Sequence, residues 1–338
     1  MSRKEGQPRI VSQLFRKPGR FFSIERVFAQ LAPDLSGHMP IHHWTAPFGG
    51  ASFKSILGNI RAAGSPRADV YHITGDIHYL ALGLPRRRTM LTIHDCVFLY
   101  QAKGFKRTLL KWLLLDWPVR RSTLVTTISE ATRRDVIKHT GCPPEKVIVI
   151  PNPVNDRIQR TPGVFSAAQP RMLFIGTTPN KNLDRVAVAL QGIPCTLDIV
   201  GELSPAQEKI LEGNKIAYEC RSRLTDEEIV AKYASCDLVL FPSTFEGFGL
   251  PIVEGQKTGR VVVTSGIDPM KEVAGGAACL VDPYSADSIR QGVLKVIRDS
   301  PYREQLIQAG FANVDRFSTA NIAAQYWACY QRVLENCS

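Results

Sequence analysis

No uninterrupted apolar run in these 338 residues approaches the ~18 needed to span a bilayer. The opening MSRKEGQPRI is polar and lacks the apolar stretch of an export signal, so a cytoplasmic setting is expected. Eight cysteines are present, at 96, 142, 195, 220, 236, 279, 329 and 337, but none has CxxC or zinc-finger spacing. They read as reduced thiols, several of them buried, and not as a disulfide framework. Low-complexity tracts and short-period repeats are also missing. These absences exclude an integral membrane protein, a secreted miniprotein and a fibrous repeat.

What is present suits a globular enzyme or binding protein. The chain is 44% hydrophobic and only 22% charged, with mean hydropathy near zero. Its length suggests two domains. The net charge of +11 is unevenly spread. Residues 1–160 hold 25 Lys and Arg against 11 Asp and Glu, whereas residues 161–338 hold 17 against 20. A basic first half attracts anionic partners, such as phosphate groups, acidic glycans or an anionic membrane face. Nucleic acid is not expected, because the basic residues are dispersed without interleaved stacking aromatics and match no nucleic-acid motif.

Ten short apolar runs read as strands: Ile10–Leu14, Val70–Thr74, Thr89–Ile93, Leu124–Ile128, Val147–Ile150, Met172–Ile175, Thr196–Val200, Leu238–Phe241, Val261–Thr264 and Ala278–Val281. They are apolar throughout, as parallel strands covered on both faces are. Amphipathic stretches such as Ala131–His139, with Ser129 as N-cap, and Glu227–Ala234 lie between them. Strand followed by helix, repeated in both halves, predicts an α/β protein with doubly wound parallel sheets. Pro151-Asn152-Pro153 marks a boundary where the charge balance also changes sign. We expect domains at 1–155 and 156–315, and a terminal helix at 316–338 that either crosses back to the first domain or packs on the second.

The stretch Phe241-Pro-Ser-Thr-Phe-Glu-Gly-Phe-Gly-Leu-Pro-Ile-Val-Glu254 is the most informative. A strand ends, glycines turn the chain, and Leu250-Pro251 opens a helix with proline in its tolerated first turn. Backbone N–H groups at Phe248, Gly249 and Leu250 form an anion site at that helix terminus. Glu246 and Glu254 are placed to grip vicinal hydroxyls of a sugar or ribose. Taken singly, Glu246 reads as an ordinary turn cap and Glu254 as a solvated helix residue.

Glu246-Gly-Phe-Gly-Leu-Pro-x-x-Glu254 resembles the Glu-x7-Glu signature of family 4 retaining glycosyltransferases, which have the GT-B fold. Thr92-Ile93-His94-Asp95, the run from Ile128-Ser129-Glu130 to Ile150-Pro151-Asn152-Pro153, and Phe174-Ile175-Gly176-Thr177 through Lys181-Asn182 agree in order and spacing. The resemblance covers about residues 70–300. It implies two Rossmann-like domains facing across a cleft, with a nucleotide-sugar donor on the second and the acceptor on the first. Glu246 would contact the donor sugar, Glu254 the ribose, and Lys181 the diphosphate, aided by the backbone at Gly176, Thr177 and Phe248 to Leu250. His94 would hydrogen-bond the sugar near the reacting centre. No metal or other cofactor is implied. Asn180 departs from the Arg common before the loop Lys, and Thr177–Lys181 is one residue short. Arg185 or the basic first domain is the candidate replacement cation.

The resemblance makes a GDP- or UDP-sugar the donor, with mannose favoured, and a glycan or lipid-linked molecule the acceptor, in polysaccharide, lipopolysaccharide or glycolipid assembly. The alternative is a non-catalytic nucleotide-sugar or glycan-binding module. An inverting enzyme would need Asp95 or Asp76 as base. Weaker acceptor candidates are Gly19, in the loop Arg16-Lys17-Pro18-Gly19-Arg20, and His72, Thr74 and Asp76 at a strand end. The segment Lys103–Arg121 mixes leucine, tryptophan and basic residues. It reads as a helix packing Leu109, Leu110, Trp112 and Leu113 into the core, in preference to an interfacial membrane helix. Basic residues on its outer face allow peripheral contact with an anionic membrane.

Overall fold

The computed structural model describes residues 9–17, 23–50, 52–64 and 67–336. The chain divides into two compact units. The first runs to Pro153 and resumes at Thr319, and the second is Val154–Ser318. Val154 and Asn155 therefore belong to the second unit, and so do residues 316–318.

The first unit carries six parallel strands: β1 (Val11–Phe15), β2 (Ile41–Thr45), β3 (Val70–Ile73), β4 (Thr89–Ile93), β5 (Leu124–Thr127) and β6 (Val147–Val149). Their order is β2-β1-β3-β4-β5-β6. The second unit has β7 (Arg171–Ile175), β8 (Thr196–Val200), β9 (Tyr218–Arg221), β10 (Leu238–Phe241), β11 (Val261–Ser265) and β12 (Cys279–Val281), in the order β12-β11-β10-β7-β8-β9. Both sheets are doubly wound. Each changes direction at one switch point, between β1 and β3 in the first and between β7 and β10 in the second. Ligands bind doubly wound sheets beyond the strand C-termini at such points.

Ten of the strands follow the apolar runs. The two that do not, β2 (IHHWT) and β9 (YECR), are edge strands whose side chains are mostly half-buried or exposed. An edge strand is not enclosed on every side, so its sequence need not be apolar. Helices form where the pattern places them. Glu130–Thr140 is capped by Ser129, whose hydroxyl accepts from Thr132 N, and Asp226–Ser235 opens on a capping box from Thr225.

The final helix, Thr319–Glu335, is part of the first unit. It buries Ile322, Tyr326, Tyr330 and Val333 against Phe28, Leu31 and Val70 on one face of the sheet. The other face is covered by Leu80, Leu115 and Val119. The segment 103–121 departs from the expected core helix. Leu115, Pro118 and Val119 are its buried residues and Leu113 packs on the same core from a half-buried position, while Leu109 and Trp112 stay about half exposed. Among the described residues, no helix is long and apolar enough to cross a membrane, and seven cysteines are free thiols.

Candidate active site

At the switch point of the second unit, the loops after β7 and β10 are tied together. Thr244 N donates to Asn180 O (2.8 Å), and Asn180 Nδ2 donates to Phe245 O (2.9 Å). Asn182 Nδ2 reaches Pro242 O (3.0 Å) and Pro283 O (2.6 Å). Between these anchors Lys181 Nζ meets Glu246 Oε1 at 2.6 Å, while Asn180 Nδ2 donates to the same oxygen at 3.2 Å. The Lys181 ammonium also lies 4.6 Å from the Phe241 ring centroid. Both charged side chains are about five-sixths covered, so water screens the pair weakly. An ammonium has three N–H donors, and Lys181 can hold Glu246 with one while presenting others to an anion.

Gly176 makes this packing possible. Its φ is +90°, and a Cβ there would lie 2.7 Å from Lys181 Cε. Thr177 Oγ1 donates to Glu202 O, and its carbonyl accepts from Gln207 Nε2, which fixes the loop from the outside. Asn180 is a hydrogen-bond strut across the two loops and supplies no charge. Arg185 is exposed one helical turn on, with one N–H on Asn182 Oδ1 (2.9 Å) and its guanidinium over Tyr284 at 5.8 Å. It is the cation nearest in sequence to the shortened loop.

The helix Leu250–Thr258 starts beside these loops in sequence. Its N-cap is Gly249, with φ +113°, a conformation that side chains rarely adopt. A glycine cap has no side chain, Pro251 has no N–H and Ile252 N donates to Gly249 O (3.0 Å), so in the first turn the Leu250 N–H is the group available to a ligand. Phe248 is buried edge-on against Phe317 at 5.7 Å and anchors the turn. Glu254, in the second turn, is half-buried and accepts a 2.6 Å hydrogen bond from Tyr233 on Oε2. Burial pushes its carboxyl above the usual carboxylate range, and the Tyr233 bond pulls the other way. It is not a solvated helix residue. Tyr233 escaped the sequence reading, because it looks like any core aromatic in an amphipathic helix.

In the first unit, the switch point lies where β1 and β3 end. Arg16 and Asp76, from these two strand ends, form an ion pair across it, and Arg16 also binds Glu25 (3.0 Å). His94, at the end of β4, donates from Nε2 to Thr74 O (2.8 Å), which leaves Nδ1 as an acceptor. Burial lowers its pKa and favours the neutral ring. A cavity of about 230 Å³ is lined here by Asp76, His78, His94 and Asp95 with Val97, Phe98 and Leu114. His78, which the sequence did not single out, holds the wall by donating to Leu114 O (2.7 Å).

Two acceptor candidates need correction. His72 is fully buried, with Nδ1 on Tyr330 OH (2.8 Å) and Nε2 on Thr92 Oγ1 (2.7 Å), so neither nitrogen can meet a ligand. Thr74 is also buried, and its hydroxyl donates to Leu14 O. Its contribution is the carbonyl that orients His94. Asp76 remains half exposed at the cavity, and Gly19 lies outside the described residues. Among the described residues, no group of three or more His, Cys, Asp or Glu could hold a metal ion.

Two family models divide the chain. The model described as "Glycosyltransferase Family 4" matches residues 16–157, and "Glycosyl transferases group 1" matches 157–312. The chain belongs to glycosyltransferase family 4. Its fold is that of the GT-B glycosyltransferases. This glycosyltransferase is 27% identical over 281 residues to the O-antigen chain mannosyltransferase B of Escherichia coli, covering 73% of this chain and 72% of that one. It is also 27% identical over 240 residues to the serotype-specific mannosyltransferase WbdA of Escherichia coli, covering 64% of this chain. The match spans only 29% of WbdA. Among solved structures, Anabaena Alr3699/HepE in complex with UDP and glucose superposes with a TM-score of 0.73 at 17% identity, covering 95% of this chain and 99% of that one.

Proposed function

We propose that this glycosyltransferase moves a hexose, with mannose favoured, from a GDP- or UDP-sugar to a glycan or lipid-linked acceptor in polysaccharide or lipopolysaccharide assembly. The observation that carries the reading is the Lys181–Glu246 pair at 2.6 Å, held by loops from both sides of a switch point. A cation, an open backbone at Gly176 and a helix terminus at Gly249 suit a diphosphate. Glu246 suits the sugar hydroxyls, and Glu254, with Oε2 already on Tyr233, has Oε1 for the ribose. The mannosyltransferase relatives support the sugar, and the UDP complex of a structural neighbour supports a nucleoside diphosphate as its carrier.

In the proposed reaction the bond from the anomeric carbon to the diphosphate breaks, and a bond to an acceptor hydroxyl forms on the same face. The acceptor proton leaves with the departing phosphate oxygen. Lys181 and the helix terminus stabilise the charge that develops there, which is metal-free leaving-group assistance. Neutral His94 serves as a hydrogen-bond partner for the sugar. The inverting alternative is less well supported, because Asp76 is held by Arg16 and Asp95 Oδ1 accepts from Val97 N (2.9 Å).

A thermal-shift screen against UDP, GDP, ADP and their sugars, without added metal, tests the donor site. One nucleotide family should raise the melting temperature, and the matching sugar nucleotide should then be turned over with an axial or equatorial linkage that retains the donor's configuration. Stabilisation without turnover on any glycan acceptor would instead mark a binding module. No stabilisation by any nucleotide would sink the reading.

A further inference from the structure

The first unit has a further cavity, of about 790 Å³, at the end of its sheet opposite His94. His94 follows the last residue of β4, whereas this space lies where β4, β5 and β6 begin. Residues just before each of these neighbouring strands line it, together with the last turns of the terminal helix. Its lining carries Arg86, Arg87, Lys146 and Arg332 against one acid, Glu145.

Hydrogen bonds fix the segments that present these cations. Thr123 Oγ1 donates to Arg86 O and Thr123 N to Thr89 O, both at 2.8 Å. Arg133 holds the turn before β6 by donating to Val147 O (2.9 Å) and Pro144 O (3.2 Å). Arg332 Nη2 donates to Glu145 O at 3.2 Å and ties the terminal helix to the same turn. Among the described residues, Arg86 and Lys146 form no ion pair. Lys146 is half-buried, and burial first, then the Arg86 charge, lower its pKa. Cations gathered in a concavity repel one another until an anion enters.

The lining also selects the kind of anion. Guanidinium forks match phosphoryl oxygens bidentately. Among the described residues the lining has no aromatic ring on which a nucleobase could stack, and Pro143 is its only apolar side chain, so an acyl chain finds no partner. The volume is far more than one phosphate ion fills. Beside the cations, the Glu145 carboxylate and Asn336 Oδ1 are acceptors suited to hydroxyl groups, the Asn336 amide being on Arg332 O (2.8 Å).

We propose that this cavity binds a small soluble sugar phosphate, its phosphoryl oxygens on Arg86, Lys146 and Arg332 and its hydroxyls on Glu145 and Asn336. The bound molecule bridges the terminal helix to the starts of β4 and β6, and so braces the first unit from the side away from His94. The inference is independent of the proposed transfer reaction.

Labelling of Lys146 by an acetylating N-hydroxysuccinimide ester, read by peptide mass spectrometry, tests it without turnover. Glucose 6-phosphate at ten times its dissociation constant should slow that labelling roughly tenfold, by mass action. Glucose, or sodium chloride at matched ionic strength, should leave it unchanged. An Arg86→Ser/Arg332→Ser variant keeps the reporting lysine and should bind about 100-fold more weakly, having lost two charged hydrogen bonds. Lys181→Ala should protect Lys146 as the wild type does, which separates this cavity from the donor site. Amide exchange along Thr319–Glu335 should slow when glucose 6-phosphate binds. Four results would overturn the proposal: labelling indifferent to glucose 6-phosphate, equal slowing by sodium chloride, full protection in the double serine variant, or protection by inorganic phosphate as strong as by the sugar phosphate.

Discussion

Glu246 carries three connections at once: the Lys181 ammonium, the Asn180 amide and, in the proposed reaction, the donor sugar. Glu246→Ala should reduce transfer by roughly 100-fold or more while circular dichroism and melting temperature stay close to wild type. Near-normal turnover would remove its donor-sugar role. Glu254 differs in kind. Its carboxyl is raised by burial, so it takes up a proton at higher pH than an ordinary glutamate as the solution is acidified. Donor affinity should therefore begin to fall on acidification at a pH above the usual carboxylate range, and Glu254→Gln should abolish that acid limb. The same variant should weaken nucleotide binding by about tenfold, the cost of one charged hydrogen bond. Tyr233→Phe should move affinity in the same direction by less, because it frees Oε2 without removing the carboxylate. Isothermal titration with the stabilising nucleotide measures all three.

At the scale of elements, the terminal helix closes the first unit through a buried polar chain. Gln13 Nε2 donates to Tyr330 OH at 3.1 Å, and Tyr330 OH is bonded to His72 Nδ1, His72 Nε2 to Thr92, and Thr92 to Thr126. With the imidazole proton on Nε2, each of these bonds has one donor and one acceptor. Burial lowers the His72 pKa to about 3, with the charge of His94 a smaller cause. The folded form thus binds fewer protons than the unfolded chain between its pKa and the ordinary value near 6.5. The contribution is intact above about pH 6.5 and is lost on acidification, at about 1.4 kcal/mol per pH unit down to pH ~3. Urea midpoints measured from pH 7 to 4 should fall accordingly, and His72→Gln should flatten that slope whatever its own stability. Tyr330→Phe should cost about 1–3 kcal/mol, since it strands His72 Nδ1 and the Gln13 amide.

For the whole molecule, a basic half and a mildly acidic half correspond to two units with different sheet orders. In the proposed reaction the cationic side chains and helix terminus of the second unit take the part a metal would play at the leaving group. Transfer should survive an excess of EDTA, and loss restored by a divalent ion would contradict that expectation. The nucleotide-induced melting shift should be equally indifferent to chelator.

Much of this protein was legible in its residues. Ten apolar runs specified ten strands, eight of them interior to the sheets, because a parallel strand covered on both faces has no polar side. Ser129 and the glycine turn before Leu250-Pro251 announced helix starts through local hydrogen bonding and backbone freedom. The spacing from Glu246 to Glu254 named a family because it is a contiguous stretch of chain. What the residues did not reveal depends on contacts between distant segments. The edge strands β2 and β9 carry no apolar signature. His72 looks like any strand-end histidine until a helix more than 240 residues later covers it. Asn180 looked like a lost charge until the loop after β10 was seen to hang from it. Leucine and tryptophan at helical spacing read as core, yet whether a stripe is covered depends on what else packs there. Local patterns follow from short-range sterics and solvation, and sequence records these directly. Partners brought together by sheet order are decided only when the chain closes on itself.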